Sequence, residues 1–498
     1  MISSRKLFNY FIGAILFSIL VAISSVFILT RMDLSPYKHI ISKTFNDFTG
    51  QELLVDGPIS IGIFPSLKVK LEDVSLTAFS DKETKYILKA QELRFTFKLL
   101  PLLWNDIQVD AYRLRTGSLL ITPKRGPSRT YSFKKISGKS EITEIGVKLN
   151  DLEVALDKSD ISGELTFNLA DDIPWVEGKL KSHKLYWEDL FGPFEAKQSE
   201  KVFSTRVLGL KNIPNVNLKL NLIIDQLFVD KIKLQNVNLP LVSDRNKITI
   251  PILAQHEGAQ IKGVLEILKD NRMPVVKLNG AGQNVKMGTL VENLGVKNFQ
   301  KGRANFTVKV TAKGDSVSDI MGSLTGVLYF DMGEATIANA GLKPGRSGTL
   351  FDFFKILNPM IEKKKNTNIE CLSVNLNAKN GNILLDKDVG IQTEYLLILG
   401  TGQVKLKPET IDITLLIQPK QDLTIDLGDI NNTIKISGTL EHPKIIPNTG
   451  SIIKKGAFVY AAVMSGGSSI LLEKLLNATN KERQPCQVIQ QKRIKQHH

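Results

Sequence analysis

Cysteine is almost missing: 498 residues carry two, Cys371 and Cys486. So few thiols exclude a disulfide-dense scaffold and a cysteine-ligated zinc cluster. In an oxidising compartment an even pair suggests one disulfide; the other reading is two unrelated buried thiols. Aromatic residues reach only 7%, with three Trp. That is too few, and too scattered, for the aromatic girdles of a transmembrane barrel. The histidines His39, His183, His256, His442, His497 and His498 show no zinc-ligand spacing, so no metal site is expected. G-x-S-x-G, a Walker loop and G-x-G-x-x-G are all absent. The short "GAG" at 280–282 and "GTG" at 400–402 suit strand ends or bulges. Asp171 and Asp172 precede Pro174 in a turn, where solvation outweighs acid–base work. Trp175, Tyr186 and Trp187 have the chemistry of a sugar or lipid platform, with packing the plainer role. No nucleic-acid signature occurs. The expectation is a non-enzyme with no cofactor and no nucleic-acid partner.

What is present begins with one long uncharged run. Leu7 to Thr30 holds 24 residues without a charge, preceded by Arg5 and Lys6. About 20 apolar residues cross a bilayer, and flanking cations keep the N-terminus cytoplasmic. A cleaved signal ending near Ser25 is the competing reading, but apolar residues run on to Leu29. Net charge is +15, from 65 basic and 50 acidic residues. Lys is spread throughout, so this reads as background. The tail "QQKRIKQHH" is the exception, and a solvated disordered end is its plain reading.

After the run, Ser35–Phe48 reads as a short helix capped by Ser35, with Pro36 at its first position and Gly50 ending it. Alternation then dominates, and period two gives each strand one apolar and one wet side. Ile59 and Ile61 open it, then Leu67, Val69 and Leu71. The phase slips once at Asp73, and Val74 and Leu76 resume it. Phe95 and Phe97 follow, then Leu218 and Leu220. Phe306, Val308 and Val310 come later, then Val374 and Leu376, then Ile413 and Leu415. Residues 162–192 align by type with 262–295, each a strand, a polar turn, a second strand and a short helical piece. Helical pieces are expected near 185–206, 287–294, 348–365 and 454–479, with Pro359 breaking the third. The expected fold is mainly β: an anchor helix, then an antiparallel sheet with few short helices. Its apolar side must find cover, as a sandwich, a barrel or a trough. The segment 456–476 reads as a helix covering the last sheet edge, one lying on a membrane, or one that dimerises.

Ordered segments of this chain resemble the AsmA-like proteins of bacterial envelopes. "TGQELLVDGPISIGIFPSLKVKLEDVSL" (49–76) carries the pattern, with Thr49, Gly50, Gly57, Pro65, Leu67, Val69, Leu71 and Val74 in place. Residues 89–121, 322–342, 369–383, 400–420 and 434–447 are similar to further family segments, and "QPC" (484–486) to a terminal cysteine of some relatives. The middle, 120–260, matches loosely. The resemblance implies an elongated, curled β-groove whose apolar lining is the residues named above, holding phospholipid acyl chains. It implies a single-pass inner-membrane protein with its bulk in the periplasm, acting in outer-membrane biogenesis. The alternative is a scaffold for outer-membrane proteins or assembly factors, working through strand edges. The expected regions are 1–31 (stub and anchor), 32–135 and 316–450 (AsmA-like β regions), 136–315 (central repeats) and 451–498 (helix and basic tail).

Overall fold

The computed structural model describes residues 35–62, 66–80, 84–102, 104, 108–122, 128–192, 201–212, 216–244, 246–270, 273–293, 299–339, 365–420, 433–447 and 484–496. The expected anchor at 7–30, the helix expected at 454–479 and nearly all of that expected at 348–365 lie outside them. No helix among the described residues is long and apolar enough to cross a membrane. The chain forms two compact units: residues up to 193 with 215–225, and residues 194–214 with 226 onward.

The first unit opens with a 3-10 turn at Ser35–Tyr37 and helix α1 (Lys38–Thr49). Its start differs from expectation: Tyr37 is the N-cap and makes no side-chain cap bond. Its end is as read, with Gly50 left-handed at φ 70°. Strands β1 (Glu52–Val55) and β2 (Ile59–Gly62) both pair with β3 (Leu67–Ser80). An antiparallel meander continues through β4 (Thr84–Phe97), the turn helix α2 (Leu99–Leu102), β5 (Val109–Thr122), β6 (Arg129–Thr143), β7 (Gly146–Ala155), β8 (Asp160–Asn168) and β9 (Trp175–Tyr186). Helix α3 (Trp187–Phe191) follows, and β10 (Asn217–Val229) straddles the division between the units.

The phase slip at Asp73 has a backbone cause. Asp73 sits at φ 48°, and Thr116 on β5 and Asp151 on β7 repeat this at 39° and 50°. Each places one residue out of the pleat, as a bulge does, so both halves of the strand keep their apolar residues on one side. Asp tolerates this conformation better than most side chains.

The second unit is a meander of β11 (Ile232–Asp244), β12 (Lys247–His256), β13 (Ala259–Leu268) and β14 (Val275–Lys286). Helix α4 (Gly288–Asn293) and the two-residue β15 (Phe299–Gln300) precede β16 (Arg303–Lys313), which pairs with β14. Helix α5 (Val317–Ser323) leads to β17 (Thr325–Met332) and β18 (Ala335–Ala338). The sheet then runs through β19 (Asn366–Lys379), β20 (Asn382–Thr393), β21 (Leu396–Lys405), β22 (Thr410–Pro419), β23 (Thr433–Thr439) and β24 (Pro443–Pro447). Residue 136, the first of the expected central region, lies inside β6.

The repeat is register-true. Gly163 faces Leu180 in β8–β9, and one hundred positions on Gly263 faces Gly280 in β13–β14. Each copy also ties its short helix back to the preceding turn. Asp189 of α3 accepts from Lys158 N (2.9 Å) and Ser159 Oγ (2.6 Å). Thr289 of α4 bonds His256 Nε2 and Glu257 Oε1, both at 3.1 Å. The helix expected at 185–206 stops at Phe191, because Gly192 turns out at φ 83° and Pro193 follows. Residues 201–212 are instead an irregular strap, held by the Glu409 carboxylate, which accepts from Val202 N (2.6 Å) and Phe203 N (3.1 Å).

Asp160 staples β8 to β9: its two carboxylate oxygens accept from His183 N (3.0 Å) and Lys184 N (2.9 Å). Burial pushes this carboxyl up, but the two N–H groups and the His183 charge outweigh it and leave it below its ordinary value. A depressed carboxyl stabilises above its unfolded pKa, and the contribution fades as pH falls through the folded value. Asp160→Asn is therefore expected to cost about 1 kcal/mol near neutral pH, discounted for exposure, with the difference vanishing in acid. Urea unfolding at pH 7 and at pH 3 checks it.

The C-terminal tail is not a solvated end. Helix α6 (Pro485–Gln496) lies on β19 and β20, with Ile489 buried. It docks on the wet side, because acids gather there. Lys492 Nζ is 2.9 Å from Asp388 Oδ1, and Arg493 is 3.2 Å from Asp331 with its guanidinium 4.5 Å from the Tyr329 ring centroid. Gly390 permits the approach, since a Cβ there would meet Ile489 Cδ1 at 2.6 Å. A disulfide joins Cys371 on β19 to Cys486 on α6, with Cα atoms 6.5 Å apart.

Candidate functional site

Residues directly opposite in an antiparallel pair share a face, so register shows which apolar residues meet. In the first unit one row runs Ile61, Val69, Phe95, Tyr112. Its neighbour runs Ile59, Leu71, Leu93, Leu114, Ile136. Leu67 faces Phe97, whose ring centroid is 6.3 Å from that of Phe95. In the second unit one row runs Phe306, Phe330, Val374, Val389 and another Val308, Leu328, Leu376. Val310 lies one row on, opposite Gly326, and Leu415 and Ile413 continue the face through Gly400 and Gly402. These expected lining residues thus share one side of their unit's sheet. Leu218 and Leu220 are half-buried on β10.

Much of this face is covered by the protein itself. Helix α1 lays Ile41 and Phe45 over a cluster of Leu53, Val55, Ile59, Leu71 and Val74, with Val69 packed alongside. In the second unit, Ile337, Ile369, Leu396, Ile398, Leu415 and Ile434 form the largest core, with Ile413 against it. Leu376 and Ile413 also pack beside Ala378, Ile383, Leu385 and Leu406, under Phe203 of the strap and Met321 of α5. Ile59, Leu71 and Leu415 are accordingly buried. Phe306, Val308 and Val310, with Leu67, Phe95 and Phe97, stay half-buried and belong to no described core cluster. Gly263 and Gly280 face each other beside Val308, so the sheet surface has no side chains there. Gly280 and Gly282 are not at a strand end: they lie within β14, Gly282 beside a register shift.

The other candidates separate. Trp175 and Tyr186 sit at opposite ends of β9, and Trp187 stacks on Phe191 at 4.0 Å, so no aromatic platform forms. Asp171 and Asp172 are exposed in their turn. No cluster of three metal-ligating side chains occurs among the described residues.

Residues 5–126 match the family model described as the AsmA family. The match ends within the first unit and does not reach the C-terminal segments noted above. No curated protein matches the chain.

Proposed function

We propose that this AsmA-like chain is an inner-membrane-anchored periplasmic protein of outer-membrane biogenesis, and that it holds phospholipid acyl chains on its apolar sheet face. The observation that carries the reading is the half-buried patch of Phe306, Val308 and Val310 on β16 with Leu328 opposite, which no described core cluster covers. Side chains half-open to water leave apolar area for a guest to cover, at about 0.8 kcal/mol per buried methylene. A file of such rungs holds a flexible chain without a shaped pocket. The binding role replaces chemistry, for which no nucleophile–base pair was found in the sequence. Strand-edge docking is less favoured at β24, where Pro443 and Pro447 each remove an N–H donor.

Native mass spectrometry of the full chain, extracted in a neutral detergent, tests this directly. Mass increments of intact phospholipids are expected. A spectrum of bare protein under conditions gentle enough to preserve a known lipid complex would reject the reading.

A further inference from the structure

We infer that the wet face of the first unit binds a phosphate-bearing anion in a cleft centred on Arg113. This face is the reverse of the acyl-chain surface, so the inference does not rest on that reading. The register puts Lys70 opposite Arg94, and Arg94 opposite Arg113. Like charges directly opposite destabilise a sheet. Glu72 and Glu92, one row along, relieve Lys70 and Arg94; across from Arg113 the next acid of its own row is Glu153, two strands beyond past Ser137. The concentration is also one of residue type. Arg94, Arg113, Arg115, Arg129 and Arg303 are the arginines of the described strands, and two of these five line this cleft. Elsewhere the basic background is lysine. A guanidinium fork matches two phosphate oxygens at once, which an ammonium does not.

The nearby acids already have partners. Glu92 is contacted by Lys70, Arg94 and Arg115, Glu153 by Lys135, and Asp151 by Lys139. Arg113 is exposed and makes no ion pair among the described residues. The cleft it lines has a volume of about 380 Å³; Lys68, Arg94, Lys135 and Lys139 outnumber Asp151 and Glu153 around it, with Thr96 and Ser137 between them. The Arg113 guanidinium and the Thr96 and Ser137 hydroxyls make a donor set for phosphate oxygens. The phosphate can come from a lipid headgroup or from a free solute.

The test uses the full chain in nanodiscs of zwitterionic lipid, titrated calorimetrically at low and at physiological salt. One arm uses inorganic phosphate. The other uses a water-soluble short-chain phosphatidylglycerol, with the matching phosphatidylcholine as control. Saturable binding of at least one phosphate probe is expected, at least tenfold tighter than phosphatidylcholine. Preference for phosphatidylglycerol assigns the headgroup, and preference for phosphate assigns the solute. Arg113→Gln should weaken binding about tenfold, the size of one charge-assisted hydrogen bond, and Arg113→Lys should restore part of it. Lys309→Gln, on the wet face of β16, should change nothing. The inference is overturned if neither probe binds, if Arg113→Gln binds like the parent, or if Lys309→Gln loses as much.

Discussion

Val308→Asp combined with Leu376→Asp will strip co-purifying phospholipid from the full chain by at least tenfold while the sheet stays folded. The two residues flank Leu328 in one cross-strand row, about 10 Å apart at two strand spacings. Val308 is half-buried outside the described core clusters, so its new carboxylate reaches water in the unliganded protein; Leu376 packs at the margin of one, so its replacement carries the larger share of the folding cost. A bound acyl chain removes that water. The carboxylates must then lose hydration or take up protons, and either costs several kcal/mol per group. The favourable term being opposed is about 0.8 kcal/mol per methylene, so two charges outweigh several covered methylenes. Lys309→Asp, one position along on the wet side, provides the control and should leave bound lipid unchanged. Lipid phosphorus per mole of protein is the measurement, with circular dichroism confirming the fold. Parent-level lipid in a folded double variant would remove the apolar face as the binding surface.

The strands were legible because a strand writes its two faces into every second residue. Even the irregularity was legible: the slip after Leu71 announced the left-handed Asp73. The repeat was visible too, down to helical pieces at the same place in both copies. What alternation could not reveal was closure. Ile59 and Leu71 read no differently from Leu67, yet α1 covers the first two, because its docking depends on contacts distant in sequence. The strap at 201–212 was missed for the same reason. Its order comes from Glu409, more than two hundred positions away. The tail was misread because its basic residues find acids on β17 and β20 that no local window contains. The Arg113 cleft was hidden in plain composition. Lys70, Arg94 and Arg113 are scattered along the chain and become one row only when the register is set.

Replacing Cys371 with Ser should give the largest loss of stability among these variants. The disulfide closes a loop across a sequence separation of 115 residues. For a loop near that length the chain-entropy model gives about 4.7 kcal/mol, arising mainly in the unfolded chain. The folded state adds a second reason. Helix α6 spans 12 residues, too short to persist alone in water. Its ion pairs with Asp386, Asp388 and Asp331 are partly exposed, and such pairs hold about 1 kcal/mol or less each. What keeps α6 seated is therefore Ile489 against Gly390 and the covalent link beside it. Without the link, α6 should leave the sheet in a local opening before the strands unfold. Hydrogen exchange should show this as faster exchange at residues 485–496, with the amides of β19 and β20 beneath following. Urea unfolding should show a midpoint lowered by the equivalent of 2–5 kcal/mol, about the usual range for a lost native disulfide. Cys486→Ser and reduction of the parent should give the same result, since all three remove one bond. If the serine variants melt with the parent and α6 stays protected, the helix is held by its packing and ion pairs alone.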